Sequence, residues 1–203
     1  MTKRLLLPFV ITFAFIAAAC GGSASPGPTT APGGAEPTEI GSPVVDGAPL
    51  PSAPDAGEDP AAGTPVPQVT SETFDGTEVE LLSEGRPAVV LVAAHWCPHC
   101  QADVAALREF FDGGGELADG VELVVLHTWP AAERGNWPPS SWLEGLGDRV
   151  LLDDAPGSAA AALGLTGTPM WVAVDADGNV VERVVGVLDP AQLVEWSESL
   201  AAA

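Results

Sequence analysis

Between positions 95 and 100 the chain reads His-Trp-Cys-Pro-His-Cys, two cysteines two residues apart with a histidine before and between them. Three chemistries use such a group. Two thiols this close can cycle between dithiol and disulfide, passing two electrons to a partner by thiolate attack on sulfur. Thiolate and imidazole together form a soft donor set suited to copper or zinc, and His95, Cys97, His99, Cys100 and His127 would supply it. A structural clip is the third use, a poor one, because so short a loop removes little unfolded-state entropy.

The elements around the cysteines bear on the choice. "PAVVLVAA" (87–94) is a continuous apolar run, as expected of a strand buried on both faces. From Pro98 to about Phe111 the period becomes helical, with Val104, Leu107 and Phe111 on one face, and Gly113-Gly114-Gly115 ends it. Cys97 therefore falls at a helix N-terminus, where unpaired N–H groups favour a thiolate. Cys100 lies one turn on along the same face, placed to attack a disulfide held on Cys97. Pro98 suits an early helical position, and His99 adds a titratable positive influence.

Downstream, "VELVVLHT" (121–128) reads as another buried strand, "VLL" (150–152) as a short one and "APGSAAAALG" (155–164) as a helix. "MWVAVDADGNVVERVVG" (170–186) reads as a hairpin. A closing helix starts at Asp189-Pro190, and "GTEVELL" (76–82) supplies a first strand. The expected order is β-β-α-β-α-β-β-α, an α/β domain with a mixed central sheet flanked by helices. His95 and His127 are expected at the polar rim of the site. The Pro- and Trp-rich stretch 127–147 reads either as a self-packed loop or as a lip that binds partners.

Trp96-Cys97-Pro98-His99-Cys100, followed by Thr168-Pro169 and "DADGNVV", resembles the thioredoxin superfamily over about residues 68–200. The resemblance implies the thioredoxin fold and a redox disulfide Cys97–Cys100. It also implies a Thr168–Pro169 cis peptide against that disulfide, and Trp96 packed beside it. "FDGTEVEL" and "CQADVAAL" look like the membrane-tethered TlpA/ResA-type reductases. Asp103 stands where those carry a glutamate, and is either a proton shuttle for Cys100 or a solvated helix charge. Ala105 replaces their helix-kinking proline, so a straighter helix is expected. Leu91 replaces the buried acid of thioredoxins. Pro98-His99 is the dipeptide of DsbA-type oxidants, so the resemblance leaves the direction of electron flow open. A peroxiredoxin-like peroxidase is disfavoured, because Ala94 stands where a Thr or Ser is needed.

The ends and the charge bear on location. Lys3 and Arg4 precede a 15-residue apolar run, Leu5–Ala19, short for a membrane span and suited to an export signal. Ala-Ala-Ala-Cys20-Gly resembles a lipobox. Lipidation of Cys20 would also explain the odd cysteine of three. The boundaries expected are a signal peptide at 1–19, a lipidated Cys20 with a disordered Pro/Gly/Ala-rich tether at 20–66, and one domain at 67–203. With a formal net charge of −21, the chain repels phosphate backbones, so no nucleic-acid partner is expected.

Together these imply a thiol–disulfide oxidoreductase held by lipid on the extracytoplasmic face of a bacterial membrane. It would need no cofactor. It would exchange disulfides with exported cysteine-containing clients and with a membrane thiol electron donor or acceptor. The alternative is a copper-binding or redox-inert module on the same fold.

Overall fold

The computed structural model describes residues 38–203, so the signal and Cys20 lie outside the described residues. Five strands form the main sheet: β4 (Ala88–Ala93), β5 (Glu122–His127), β6 (Arg149–Leu152), β7 (Met170–Val174) and β8 (Val180–Val185), in the order β6-β5-β4-β7-β8. β4, β5 and β6 run parallel, while β7 and β8 pair antiparallel to β4 and to each other. A second, antiparallel sheet holds β1 (Val44–Asp46), β2 (Gln68–Glu72) and β3 (Glu78–Glu80). The helices are α1 (Pro98–Asp112), α2 (Pro139–Trp142), α3 (Ser158–Ala162) and α4 (Pro190–Ala201).

The two-residue period of β4 divides the core. Val89, Leu91 and Ala93 face α1 and α4, packing with Val104, Leu107, Leu193 and Leu200. Val90 and Val92 face the other way, toward Ala159, Ala160 and Leu163 around α3. α1 begins at Pro98 with Cys97 as an extended N-cap, and runs unbroken to Asp112. Ala105 is exposed on it. α4 is capped by Asp189, whose Oδ1 accepts the Ala191 N–H at 2.8 Å.

One boundary needs correction. Residues 38–66, expected to belong to a disordered tether, form a strap packed on the domain. β1 pairs with β2, and the Leu50 and Ala53 amides donate to the carbonyls of Ala162 and Gly164. Leu50, Ala53 and Ala61 are buried in the α3 side of the core. The composition misleads because the strap hides only a few small apolar side chains. Its backbone groups are satisfied by edges that the rest of the chain provides.

Arg183 is the anchor. Its buried guanidinium donates to both Asp59 carboxylate oxygens, at 2.8 and 2.6 Å, and to the carbonyls of Pro51 and Leu163. The Asp59 carboxyl is held below the usual range by those hydrogen bonds, against the opposing effect of burial. Gly164, in the left-handed region at φ +76°, has no room for a Cβ between the Pro51 carbonyl and Arg183. Removing one partner of a buried pair strands the other charge. Arg183→Ala is therefore expected to lower unfolding stability by about 3–5 kcal/mol in urea titrations and to expose the strap to proteolysis.

Candidate active site

β4 delivers its C-terminal end into a tight turn, closed by the Cys97 N–H donating to the Ala94 carbonyl at 3.0 Å. α1 starts at once, its first backbone bond running from the Gln101 N–H to the Cys97 carbonyl. The Cys97 thiol donates to the Thr168 carbonyl at 3.3 Å. The Thr168–Pro169 peptide is cis, and β7 begins at the next residue. Both thiols are free and buried, Cys97 with 6% of its surface exposed and Cys100 with none. Pro98 and His99, between them, are exposed.

The two sulfurs differ in acidity. Burial pushes the Cys97 thiol up, but hydrogen bonding outweighs it: the Cys100 amide first, then the Thr168 side chain, the Cys100 thiol and the His99 amide. Cys97 ends below its ordinary value. Cys100 is pushed up to about 12, chiefly by burial and further by its hydrogen bond with Cys97 and that neighbour's charge. A more acidic sulfur with a trace of exposure and a thiol held protonated one turn below suit a nucleophile and a second sulfur that needs a base.

Asp103 lies one turn beyond Cys100 with 1% of its surface exposed, so it is not a solvated helix charge. Burial raises its carboxyl to about 6, against a lowering hydrogen bond from Trp171. The Trp171 indole N–H donates to Oδ2 at 2.9 Å, while Oδ1 has no partner. Trp171 lies in register with Leu91 across β4 and β7. Its role is not legible in an apolar strand, where a tryptophan reads as plain core. The available signal is indirect: an acid on the buried face of α1 requires a donor from the sheet below.

The expected positions of His95 and His127 also need correction. Neither is a rim residue, and both are fully buried. His95 Nδ1 lies 3.0 Å from His127 Nε2, and His95 Nε2 lies 3.1 Å from the Ala131 carbonyl. That carbonyl accepts only, so it assigns the His95 proton to Nε2. His127 then donates from Nε2, and its Nδ1 is left bare and unpartnered. The pair is buried because β5 ends in its fully buried register beside Ala93, while the 128–138 segment folds over it. Both His95 ring nitrogens are thus engaged within the core. Among the described residues, no three His, Cys, Asp or Glu side chains converge to hold a metal ion.

The stretch 127–147 packs on itself and against the cysteine turn. The Trp96 indole donates to the Trp129 carbonyl at 2.9 Å, and the two rings stack at 6.4 Å. The Arg134 guanidinium lies 4.7 Å above the Trp96 ring. Gln101 and Asn136 side chains both donate to the His95 carbonyl, and Trp137 meets the His95 ring edge-on. Ser140 bonds Glu39 of the strap through its amide, at 3.0 Å, and through its hydroxyl.

A paired-thiol turn at a helix start, set against a cis X-Pro bond on this mixed sheet, makes the chain a thioredoxin-like thiol–disulfide oxidoreductase. It belongs to the Redoxin family, whose model matches residues 61–197. It is similar to the thiol:disulfide interchange protein DsbE of Haemophilus influenzae, 30% identical over 148 residues, 70% of this chain and 75% of that one. A DsbF homologue from Corynebacterium diphtheriae shares the fold with a TM-score of 0.58 at 16% identity, over 76% of this chain and all of its own. So does a secreted Mycobacterium tuberculosis disulfide oxidoreductase, with a TM-score of 0.50 at 23% identity, over 64% of this chain and 95% of its own.

The histidine pair predicts an acid limb in stability. Burial, with the neighbouring His95 charge, lowers His127 from 6.5 to about 3. The unfolded chain therefore binds a proton between those values that the folded chain refuses. The contribution is complete above about pH 6.5 and is lost as pH falls toward 3. His127→Gln keeps a donor without the titration. Urea unfolding across this range should give a shallower loss of stability in that variant than in the parent chain.

Proposed function

We propose that the chain is a lipid-anchored, extracytoplasmic oxidoreductase that exchanges a Cys97–Cys100 disulfide with exported cysteine-containing proteins. The unequal acidity and burial of the two sulfurs carry this reading. Cys97 is the sulfur that attacks, or is attacked by, the client. Cys100, protected beneath it, resolves the mixed disulfide. Asp103 is the base that takes the Cys100 proton, one helical turn away and buried with the pair. Thr168 and Pro169 shape the surface along which a client strand lies, and His99 and Trp96 flank its entry. The same two steps run in either direction, with a membrane thiol carrier restoring the pair.

The N-terminal sequence supports the location: a charged start, an apolar run of signal length, and Cys20 as the third cysteine that a two-sulfur site leaves over. The M. tuberculosis neighbour is itself described as secreted. A lipid on Cys20 would hold the domain at the membrane surface, where its thiol carrier is embedded.

Trapping tests the assignment of the sulfurs. Cys100→Ser should accumulate a stable mixed disulfide through Cys97 when mixed with a disulfide-containing client, while Cys97→Ser should accumulate none. Alkylation of the reduced chain should modify Cys97 first, with a pH midpoint below the ordinary thiol value. Faster alkylation of Cys100, or trapping in Cys97→Ser, would reverse the roles. Radiolabelled palmitate incorporation lost in Cys20→Ser checks the anchor.

A further inference from the structure

We propose that Trp171 is the positioning residue for the Asp103 carboxyl: its indole N–H holds Oδ2 and leaves Oδ1 as the acceptor for the Cys100 proton. This rests on the reading of Asp103 as the base. Trp171, Cys97 and Cys100 share one packed core cluster on the α1 face of the sheet, and the indole meets Oδ2 at 2.9 Å. The other oxygen is buried and unpartnered. Stability alone does not favour that arrangement. A buried indole needs an acceptor, but a neutral one serves, and a carboxyl with one orphaned oxygen carries a desolvation cost. An oxygen left bare one helical turn from a thiol that must ionise has a use.

In the reducing direction the client is held by a bond between its sulfur and Cys97. Oδ1 takes the Cys100 proton, and the Cys100 thiolate attacks the Cys97 sulfur. The Cys97–Cys100 bond forms as the client–Cys97 bond breaks, and the client leaves as a thiolate with the bonding electron pair. The proton on Asp103 then passes to that thiolate or to water. The client disulfide has gained two electrons and the Cys97–Cys100 pair has lost two.

Few groups compete for this titration. β4 and β7 carry no ionisable side chain, and the buried face of α4 is Leu193, Ser197 and Leu200. From α1, His99 favours the charged carboxylate, and Cys97 and Cys100 are the other titratable groups at that end of the helix. The Leu188 backbone amide, from the segment before α4, also favours the carboxylate.

The test is the reduced chain carrying Cys20→Ser, so that only two thiols remain, mixed with an equimolar symmetrical aromatic disulfide. One coloured thiolate is released when Cys97 attacks and a second when Cys100 resolves. In this two-thiol chain the second rate should rise with pH around a midpoint near 6. Trp171→Phe keeps a ring but removes the N–H, and should move this midpoint up by about 1–2 units, the size of a hydrogen bond to a charged group. Asp103→Asn should abolish the limb, and Trp171→Phe should add no shift in that background. An unmoved midpoint in Trp171→Phe, with both phases merely slowed, would overturn the positioning role and leave the base standing. An intact limb in Asp103→Asn would remove the base, and this proposal with it. Should Trp171→Phe not fold, the Trp171 indole N–H resonance of the native chain decides. It should titrate near pH 6 and stop doing so in Asp103→Asn; a resonance indifferent to pH overturns the proposal.

Discussion

Burial of β4 on both faces is the constraint on which the site depends. A central strand between β5 and β7, covered by α1 and α4 on one side and by α3 and the strap on the other, cannot slide without moving apolar side chains to the wrong layer. Its end is therefore a fixed point, and the turn to α1 leaves from it. Cys97 emerges where the helix has unpaired N–H groups and little surrounding water. There each donor acts on the sulfur more strongly than it would in solution. The same geometry carries Cys100 into the core, so one helix start yields two sulfurs of opposite character.

A second consequence concerns where a buried acid can sit. With Leu91 on β4, the strand beneath the cysteines supplies no acid. The carboxyl comes instead from the helix above, and a buried carboxyl needs a partner. The sheet supplies it through Trp171, which stands beside Leu91 in the antiparallel register. Strand and helix are thereby joined by a polar bond inside an otherwise apolar layer. The His95–His127 contact does the corresponding work one step earlier in the chain. It fastens the residue before Trp96 to the end of β5 and, through Ala131, to the loop that folds over both.

Several of these features were legible beforehand for physical reasons. Valine-rich runs of strand length, a helical period broken by glycine, and a capped closing helix carry their own local signals. Every main-sheet strand and the three longer helices fall where those signals lie. The strap did not announce itself, because proline and glycine without apolar periodicity look alike whether or not another edge accepts their hydrogen bonds. α2, a single turn of four residues beginning at Pro139, is likewise held from outside, by Glu39 and by Arg108 on the Trp142 carbonyl. The histidines were misplaced because a polar residue at a strand end usually faces water. Here each satisfies the other, which no local pattern reveals.

By itself the sequence determined the candidate groups and their order: two sulfurs one helical turn apart at the mouth of a buried strand, a carboxyl one turn further, and a later Thr-Pro pair. Spacing along a helix or strand is a local property, set by 3.6- and 2-residue periods that residue types encode directly. Only the tertiary structure decided how those atoms are charged. That Cys97 is acidic and Cys100 is not, that Asp103 is buried rather than solvated, and that Trp171 is its donor all depend on distance and water exclusion between segments remote in the chain. Electrostatic energies in a protein are set by such surroundings, and surroundings exist only once the chain has folded.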